Sequence, residues 1–446
     1  MSRWRAGLQQ LRQYPSAVAG AGIILLLVGV SIYSVVAIPY SQALDLWRGG
    51  DMWQDHPVNA GPVWADRLAG GAAPRTQTVR ADDERVQTEA LPGARRIGMP
   101  LAFHYDADDF PSELNVFLRA DVHDSEAFVR LTWVTPDERE IPLVSRRVSG
   151  DQRVSLSQDL DLERRLQAVP HIALMSEAPA DADDAPPRVL TGDYELRLDA
   201  ILFHPEDSLD AELIVYGRVH GLAGTDHQRR DLMVALLWGT PIALAFGLLA
   251  AVGTTVTTLV IAAVGVWYRG VVDAVIQRLT EVNMILPLLP ILVMVGTLYS
   301  TSIWVMLGVV ILLGIFSAGI KMYRAMLLPI REAPYIEAAK AYGASNARII
   351  LRYMIPRILP VLIPTFVTLI PTFVFLEASL ALLGLGDPEL PTWGKVLNDA
   401  QTQSALYHGF YYWVLSPAGL LMLTGLGFAM FGFALDRVFN PRLRNL

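Results

Sequence analysis

Long runs without a charged side chain limit this chain to folds that a lipid bilayer can surround. Residues 17–40 form the first such run, which is long enough to cross roughly 30 Å of hydrocarbon. Longer uncharged runs occupy residues 232–268 and 282–320, and the run at 358–383 contains one charge, Glu377. The 446-residue chain is 52% hydrophobic and 18% charged, which is too apolar for a soluble protein of this length. The sequence therefore predicts a polytopic membrane protein whose membrane part is all-α.

Six transmembrane helices are expected from these runs. The 232–268 run is too long for one straight crossing, and Pro241 is expected to split it into an interfacial helix at 232–238 and a span. The 282–320 run is expected to turn at 299–302 and so to give two spans. The first run is longer than the apolar core of a secretory signal, which favours an uncleaved span. The expected spans are 17–40, 242–266, 284–298, 303–318, 358–383 and 412–434.

Residues 41–228, between the first two spans, have a different composition. They contain 34 Asp and Glu against 18 Arg, a net charge of −16, whereas the rest of the chain carries +8. Apolar and polar residues alternate in several segments rich in β-branched and aromatic side chains, which predicts antiparallel strands. The strands are expected at 115–122, 127–134, 194–203 and 211–217, with a short helix at 159–168. The sequence therefore predicts a large β-rich, sandwich-like domain inserted between helices 1 and 2.

No metal site is predicted in this domain. Its histidines show no i, i+3 or i, i+4 pairing, and the chain has no cysteine. Asp181, Asp183 and Asp184 resemble half of a calcium loop, but the matching Gly and distal Glu are missing there. We expect solvated or strand-edge histidines at His56, His104, His123, His171, His204, His220 and His227.

A helical hairpin is predicted at residues 335–356, between two apolar runs. One stripe at helical spacing contains Tyr335, Ala338, Ala339 and Tyr342. Gly343 is expected at the C′ position of the first helix, because glycine adopts a left-handed backbone at little cost. A second helix should follow and end at Pro356. Such a hairpin, tethered to the membrane at both ends, suits docking into a groove on a soluble partner.

The same residues resemble a known motif. Glu-Ala-Ala at residues 337–339, followed by Gly343 and an apolar-Pro end at 355–356, is similar to the EAA loop of ABC-importer permeases. Gly-Ala-Ser at 343–345 is similar to the branch of that family that transports dipeptides, oligopeptides and nickel. The resemblance implies that this hairpin is the place where a permease contacts its ATPase.

Other segments show the same resemblance, and two positions depart from it. Residues 224–226, 376–386 and 391–394 are similar to segments of the same permease branch. Tyr353 stands where that branch usually has His, and Arg357 stands where it usually has Asn. Neither departure removes the hairpin, so they bear on substrate subtype rather than on the family.

The resemblance implies a type I ABC importer permease of the dipeptide/oligopeptide/nickel family, a C-type subunit with six membrane helices. Its EAA loop corresponds to residues 331–357, called the EAA segment below. The residues that the resemblance assigns to ATPase coupling are Tyr335, Glu337, Ala338, Ala339, Gly343, Ala344 and Ser345. Glu377, the one charge of the fifth span, is a candidate for a bundle residue or for a translocation-path residue.

The resemblance also implies partners: a second homologous permease subunit, two ATP-binding-cassette ATPase subunits and an extracytoplasmic substrate-binding protein, in a lipid bilayer. No nucleic-acid partner is expected. The sequence has no Gly-x-x-x-x-Gly-Lys-Ser/Thr, so ATP and Mg²⁺ should bind the partner ATPases and this chain should hold no cofactor. It has no hydrolase motif either, which predicts a non-catalytic subunit.

Loop charge predicts the orientation in the membrane. The N-terminus, the 267–283 and 321–357 loops and the C-terminus together hold 15 basic residues, whereas the short loops on the other side hold Lys395. The positive-inside rule then places both termini and the EAA segment in the cytoplasm. Three regions are expected: the N-terminus with the first helix at 1–40, the extracytoplasmic domain at 41–228 and the permease core at 229–446.

The chain is predicted to be a permease subunit of an ATP-driven, binding-protein-dependent importer in the plasma (inner) membrane, where it forms half of the translocation pore. Peptides are the predicted cargo. Nickel or another small solute, such as an oligosaccharide, is the alternative cargo. An ion-coupled secondary transporter is the alternative of another class, although the spans hold one charge and show no paired repeat halves. The enlarged outer domain is expected to help dock the binding protein or to cap the translocation mouth.

Overall fold

The computed structural model describes residues 14–71, 73–123, 125–177 and 186–439. It divides the chain into a helical unit, Met1–Arg48 with Val234–Leu446, and a β-rich unit, Gly49–Met233. The N-terminal arginines and the acidic Asp181, Asp183 and Asp184 lie outside the described residues.

Helices form the first unit, and three short helices belong to the second. The α-helices are α1 Pro15–Ala37, α2 Tyr40–Arg48, α3 Val63–Ala69, α4 Leu160–Leu166, α5 Pro170–Met175, α6 Leu232–Tyr268, α7 Gly270–Ile285, α8 Leu288–Leu298, α9 Ile303–Ile315, α10 Gly319–Arg331, α11 Pro334–Ala341, α12 Asn346–Leu385, α13 Trp393–Thr402 and α14 Tyr412–Phe439. By length and composition, α1, α6, α12 and α14 can each cross a membrane. The pairs α7 with α8 and α9 with α10 pass the same test, with bends of 76° and 46°. The described residues therefore contain four to six candidate spans.

Pro241 does not divide the second apolar run, and the predicted split is wrong: α6 is continuous over Leu232–Tyr268. Proline has no N–H, so the carbonyl oxygen of Leu237, four residues earlier, loses its helical donor. Ser34 of α1 donates its hydroxyl to that oxygen over 2.9 Å. A donor from a neighbouring helix makes an internal proline tolerable in apolar surroundings.

The charged stretch after α6, expected as a loop at 267–283, is mostly helical. Arg269 has a φ of 54°, which interrupts the helical backbone, and α7 begins at the next residue. Arg278 and Glu281 form an i, i+3 ion pair of 3.0 Å on its surface, so these charges belong to the exposed face of a helix. The turn predicted at 299–302 is confirmed, since it separates α8 from α9.

Nine strands form the β-rich unit in the described residues. They are β1 Gln77–Arg80, β2 Gln87–Leu91, β3 Ala94–Tyr105, β4 Glu113–Asp121, β5 Ala127–Val134, β6 Glu140–Val148, β7 Gly150–Ser155, β8 Gly192–Leu202 and β9 Ser208–Tyr216. They pair antiparallel into two sheets, β1-β9-β4-β7 and β2-β3-β8-β5-β6. The four predicted strands correspond to β4, β5, β8 and β9. The other five were not predicted, and β2 shows why: all its residues are exposed, so it has no apolar alternation.

One hydrophobic core joins the two sheets. Alternate residues of β4 enter it from one sheet, and Leu131 and Trp133 of β5 enter it from the other. This is the alternation expected of a sheet with one buried face. Trp133 Nε1 donates to the carbonyl oxygen of Leu174 over 3.0 Å, so its buried N–H has a partner.

Candidate functional site

Helix α11, the first helix of the EAA segment, has a defined start and end. Pro334 begins it, at a position where a missing N–H breaks no helical bond. At its end, the N–H of Ala344 donates to Ala339 over 3.0 Å and the N–H of Gly343 donates to Lys340 over 2.9 Å. These two bonds make a Schellman motif, which needs the left-handed backbone of Gly343, φ 76°. Gly343 therefore occupies the predicted C′ position.

One face of α11 is buried and the rest is exposed. Ile336 and Ala339 are its buried residues and join a core cluster that also contains Ile349 and Ile350. The predicted stripe therefore forms only in part, because Ala339 faces inward. The predicted site residues that remain exposed are Tyr335, Glu337, Ala338, Gly343 and Ser345, while Ala344 is half-buried. Tyr342, at the end of the helix, is 91% exposed.

A cation–π contact ties α11 to the end of α6. Lys340 Nζ lies 4.6 Å from the ring centre of Trp267, and the guanidinium carbon of Arg331 lies 5.8 Å from the same ring. Trp267 is 8% exposed, whereas Lys340 is exposed, so the ring is buried and the ammonium group remains in contact with water. This contact was not predicted; the one available signal was an aromatic residue at the end of an apolar run.

Ion pairs tie the neighbouring helices together. Arg324 of α10 pairs with Asp273 of α7 through two bonds, Nη2 to Oδ2 at 2.7 Å and Nε to Oδ1 at 2.9 Å. Arg269, between α6 and α7, pairs with Glu332 just before α11. Bidentate arginine–carboxylate pairs hold a fixed geometry. The ends of α6, α7 and α10 are thus connected to the EAA segment.

The second helix of the EAA segment was predicted to end at Pro356, and this prediction is wrong. The helix continues to Leu385 within α12. Ser345 caps its start by accepting from the N–H of Arg348 over 3.4 Å. Ile349–Met354 form π-helical turns, with the N–H of Ile355 bonded to Ile350. A π segment is wider than an α-helix, so the ring of Pro356 is accommodated at the start of the α-helical stretch that follows.

Glu377 is not part of this surface. It lies on α12 roughly 40 Å from Ile349 at 1.5 Å per residue, and it is 5% exposed. Its carboxyl group is hydrogen-bonded to the side chain of Thr392. Thr392 in turn caps α13, accepting from the N–H of Lys395 over 3.1 Å. The cavity that Glu377 lines measures about 10 Å³, room for about one water molecule.

The start of α13 fits between α6 and α12. Trp393 Nε1 donates to the carbonyl oxygen of Leu236 over 3.0 Å. A Cβ added to Gly239 would lie 2.4 Å from the Trp393 ring, and one added to Gly394 would lie 2.5 Å from Ala381 Cβ. Only glycine permits this packing at residues 239 and 394.

A cavity of about 350 Å³ lies among α6 to α10 and α12. Its described lining residues are uncharged, and the polar ones are Thr254, Thr255, Thr258, Asn283, Ser317, Tyr323 and Thr365. Leu286 and Ser317, at the breaks of the two bent pairs, both line it. Asn283 donates to the carbonyl oxygens of Leu313 and Phe316 over 2.8 and 3.2 Å, which satisfies the end of α9.

The histidines of the β-rich unit are less scattered than predicted. His56 and His220 have ring centres 4.0 Å apart. Burial, and then the neighbouring His220, lowers the pKa of His56 to about 4, and burial also lowers the pKa of His220. Among the described residues, no group of three or more His, Asp or Glu is placed to hold a metal ion.

Comparison with known proteins identifies a transporter family. Residues 243–445 match the family described as binding-protein-dependent transport system inner membrane component. A putative peptide transport system permease protein of Brucella suis is 31% identical over 229 residues, which cover 50% of this chain and 74% of that protein.

Two further relatives have similar coverage. The dipeptide transport system permease protein DppC of Alkalihalophilus pseudofirmus is 28% identical, over 50% of this chain and 72% of the length of that protein. The glutathione transport system permease protein GsiD of Pectobacterium atrosepticum is 29% identical over 50% of this chain and 73% of its own. The family match begins after the β-rich unit and falls within the helical unit. This chain belongs to the family of binding-protein-dependent transport system inner membrane components and is a permease subunit of an ABC importer.

Proposed function

We propose that this importer carries short peptides and that the chain forms half of its pore beside a second, homologous permease subunit. The names of the relatives, which denote peptide, dipeptide and glutathione permeases, support this cargo. In this proposal two ABC ATPase subunits bind ATP and Mg²⁺ and drive transport. An extracytoplasmic binding protein delivers the peptide, and this chain is itself non-catalytic.

In the proposed topology each bent helix pair is one span, giving six, with both termini in the cytoplasm and the β-rich unit outside. The excess of basic residues in the loops on the side of the EAA segment supports this orientation. The chain has no cysteine, so single-cysteine variants can test it directly. On intact cells, a membrane-impermeant maleimide should label Thr88→Cys and should label Ser345→Cys only after permeabilisation; the reverse pattern would contradict the topology.

The proposed ATPase contact is the exposed face of α11. The observation that carries it is the exposure of Tyr335, Glu337 and Ala338 on a helix anchored from behind by Ile336 and Ala339. Closure of the ATPases on ATP would draw the α11 helices of the two permeases together. Because α6, α7 and α10 are bonded to this segment, their ends would move with it. The spans would then rock between two states that differ in which side the central cavity faces.

Charge reversal at Glu337 tests this contact. Glu337→Lys should leave the permease inserted and assembled. It should lower ATPase stimulation by the loaded binding protein about tenfold or more, because a lysine would be repelled by an ATPase surface that complements the negative charge of Glu337. Glu163→Lys, an equal charge change at an exposed residue of α4, is the matched control and should behave as the wild type. Full stimulation by Glu337→Lys in proteoliposomes would refute the contact.

Gly343 offers a second test of the same surface. Proline fixes φ near −65°, which is incompatible with the 76° of Gly343. Gly343→Pro should therefore displace the end of α11 and uncouple ATP hydrolysis from uptake without preventing membrane insertion. Normal uptake by this variant would contradict the proposed role of the Schellman motif.

We assign Glu377 a bundle role rather than substrate contact. Its bond to Thr392, its burial and the small size of the cavity beside it support this assignment. Glu377→Gln can still bond Thr392, so it should keep most of the uptake, whereas Glu377→Leu should lower stability. Loss of uptake in a stable Glu377→Gln variant would instead support a role in translocation.

The 350 Å³ cavity is the proposed contribution of this subunit to the peptide path. Its lining is uncharged and largely apolar, with hydroxyl and amide groups among the apolar residues, which suits cargo whose shared feature is the peptide backbone. Thr365→Trp should fill part of it and reduce uptake while the complex still assembles. Thr297→Trp, at an exposed residue of α8, is the control and should transport normally. Unchanged uptake by Thr365→Trp would remove the cavity from the path.

A further inference from the structure

The β-rich unit contains a polar cavity of about 510 Å³ that has no role in the transport route described above. Neighbouring strands β4 and β7 form one side through Arg119, Asp151 and Arg153, and residues 50–54 and 228–229 contribute to the other. This volume falls in the range of roughly 300–1,000 Å³ found for small-ligand sites.

Guanidinium groups outnumber carboxylates in the ion-pair network beside the cavity. The network consists of Arg80, Arg119, Arg153 and Arg229 with Glu113 and Glu212. Both glutamates are largely buried, with side-chain exposures of 17% and 8%. Four guanidinium groups and two carboxylates make up this network, and Asp51 and Asp151, which line the cavity itself, bring the number of carboxylates to four. The charges around the cavity therefore balance, and groups of both signs are available to a ligand.

Arg119 and Arg153 keep hydrogen-bond donors for such a ligand. Arg119 Nη2 is 3.6 Å from Glu212 and Arg153 Nη2 is 3.9 Å from Glu113, and both distances exceed a hydrogen bond. With the Asn115 amide turned so that its oxygen faces Arg153, that oxygen accepts from Nη2 over 2.8 Å. Each guanidinium has five N–H donors, so donors of both side chains remain for a carboxylate.

Arg229 has a different task, because it is held in place. It is 9% exposed, donates to the carbonyl oxygen of His56 over 2.7 Å and also pairs with Glu113. Its guanidinium lies 4.4 Å from the ring centre of Tyr216. Arg229 therefore forms a fixed, positively charged wall of the cavity.

Two carboxylates complete the lining. Asp151 is exposed and lies opposite Arg119 in the β4–β7 register. Asp51 is also exposed and accepts from Gln54 Nε2 over 2.6 Å. The cavity therefore offers donors for a carboxylate and acceptors for an ammonium group within one recess. This pairing matches a zwitterion better than a simple anion, which Asp51 and Asp151 would repel.

We propose that this cavity binds a short peptide by its charged ends, with the terminal carboxylate on Arg119 and Arg153 and the terminal ammonium on Asp51 or Asp151. The inference rests on the proposed peptide cargo, and it adds a second peptide site on the permease subunit itself. A site there would hold cargo close to the transporter independently of the binding protein.

The test is calorimetric binding of tri-alanine to the full chain in nanodiscs, without the binding protein or the ATPases. Free tri-alanine should bind, and its C-terminal amide and its N-acetyl form should each bind about tenfold more weakly, the effect of losing one charged contact. These arms use the wild-type protein, so they do not depend on the folding of a variant. Acetate and alanine, tested alongside, show whether a carboxylate or a single amino acid suffices; binding of either as tightly as tri-alanine would overturn the peptide assignment.

The matched variants are two double substitutions of exposed arginines. Arg119→Gln with Arg153→Gln should lower tri-alanine affinity about tenfold or more, while Arg146→Gln with Arg147→Gln on β6 should leave it unchanged. Equal affinity of the cavity variant and the wild type would overturn the proposal, as would no binding at about 10 mM tri-alanine.

Two outcomes separate this proposal from its neighbours. If tri-alanine does not bind but the cavity variant weakens docking of the binding protein, the recess is a protein-docking surface and the peptide site is refuted. Peptide uptake by the complete importer reports on the proposed cargo separately. Uptake without binding to the permease alone would refute only this inference, whereas failure of all peptide uptake would refute the cargo.

Discussion

Ser34 on α1 donates its hydroxyl to the carbonyl oxygen of Leu237 on α6 over 2.9 Å, at the acceptor that Pro241 leaves without a helical donor. The same hydroxyl lies 2.8 Å from the carbonyl oxygen of Val30 in its own helix. Because a hydroxyl has one proton, Ser34 shares it between the two acceptors. Ser34 is fully buried, so water cannot replace this bond.

Removing the Ser34 hydroxyl should therefore destabilise the protein. We expect Ser34→Ala to cost about 1 kcal/mol, because a buried carbonyl group loses its donor. Ser31→Ala is the matched control, since Ser31 donates only within α1, to Leu27 over 2.9 Å. Thermal unfolding of the purified protein in detergent measures both variants.

The cause can be isolated with Pro241→Ala. In that background residue 241 regains an N–H for Leu237, so the cost of Ser34→Ala should fall toward that of Ser31→Ala. A double-mutant cycle that shows no coupling between residues 34 and 241 would refute the link between the two helices.

Gly394 should not accept a side chain. Its added Cβ would meet Ala381 Cβ at 2.5 Å and Ala378 Cα at 2.9 Å, both on α12. We expect Gly394→Ala to destabilise by roughly 1–3 kcal/mol, because the start of α13 must move away from α12. Gly308→Ala, with nothing within 4 Å of the added Cβ, should be neutral or slightly stabilising. Melting temperatures of the isolated permease measure both variants. An unchanged melting temperature for Gly394→Ala would show that α13 does not pack tightly against α12.

The contact between Lys340 and Trp267 should matter for coupling more than for folding. Lys340→Gln removes a cation–π interaction of about 0.5–1 kcal/mol between α11 and α6, since Lys340 is exposed. Peptide uptake per ATP hydrolysed should fall roughly twofold to tenfold in reconstituted importers, while Lys340→Arg should retain most of it.

Lys321→Gln, which removes a lysine of α10, controls for the lost charge. Equal loss of coupling in both variants would mean that net charge, rather than the Trp267 contact, is responsible.

The His56–His220 pair predicts that the protein is less stable in acid. The pKa of His56 in the fold is about 4, below its ordinary value of 6.5, because of burial and of His220. Between these two pH values the unfolded chain binds more protons than the folded one. The contribution of neutral His56 to the free energy of unfolding is therefore complete above pH 6.5 and is lost as pH falls toward 4. Because the ring is partly solvated, we expect about 1 kcal/mol of loss between pH 7.5 and 5.

Asp231, beside His220, acts in the opposite direction at lower pH, because burial raises the pKa of its carboxyl group. Thermal unfolding from pH 7.5 to 5 measures the histidine effect. His220→Gln should flatten the profile, while His104→Gln at an exposed strand residue should not. A profile that is flat in the wild type would refute the prediction.

Runs of uncharged residues predicted the positions of the candidate spans, whereas local proline rules predicted the helix interruptions poorly. The turn before Ile303 follows from the sequence, but the continuity of α6 through Pro241 depends on Ser34, which lies far away in the chain. Likewise α12 passes Pro356 because π-helical turns precede it. The first exception depends on a bonding partner that only the folded chain brings close, and the second depends on a local change of helix type that residue propensities do not describe.

Only the local features of the candidate site could be predicted from the sequence. The C′ role of Gly343 is local, and the structure confirms it. Trp267 lies far from α11 in the sequence, and its position at the end of an apolar run did not identify Lys340 as its partner. The pairing of Arg324 with Asp273 likewise joins residues with no shared spacing. Strands with two exposed faces, such as β2, leave no alternation to detect.

Helix α12 is 40 residues long, about 60 Å at 1.5 Å per residue, which is about twice the hydrocarbon thickness. In the proposed coupling it would act as a lever, with Ile349 near one end and the Glu377–Thr392 bond near the other. A tilt of about 5° displaces the far end of such a rod by about 5 Å. In the proposed topology, one continuous helix would then transmit a displacement from one side of the bilayer to the other without a flexible linker.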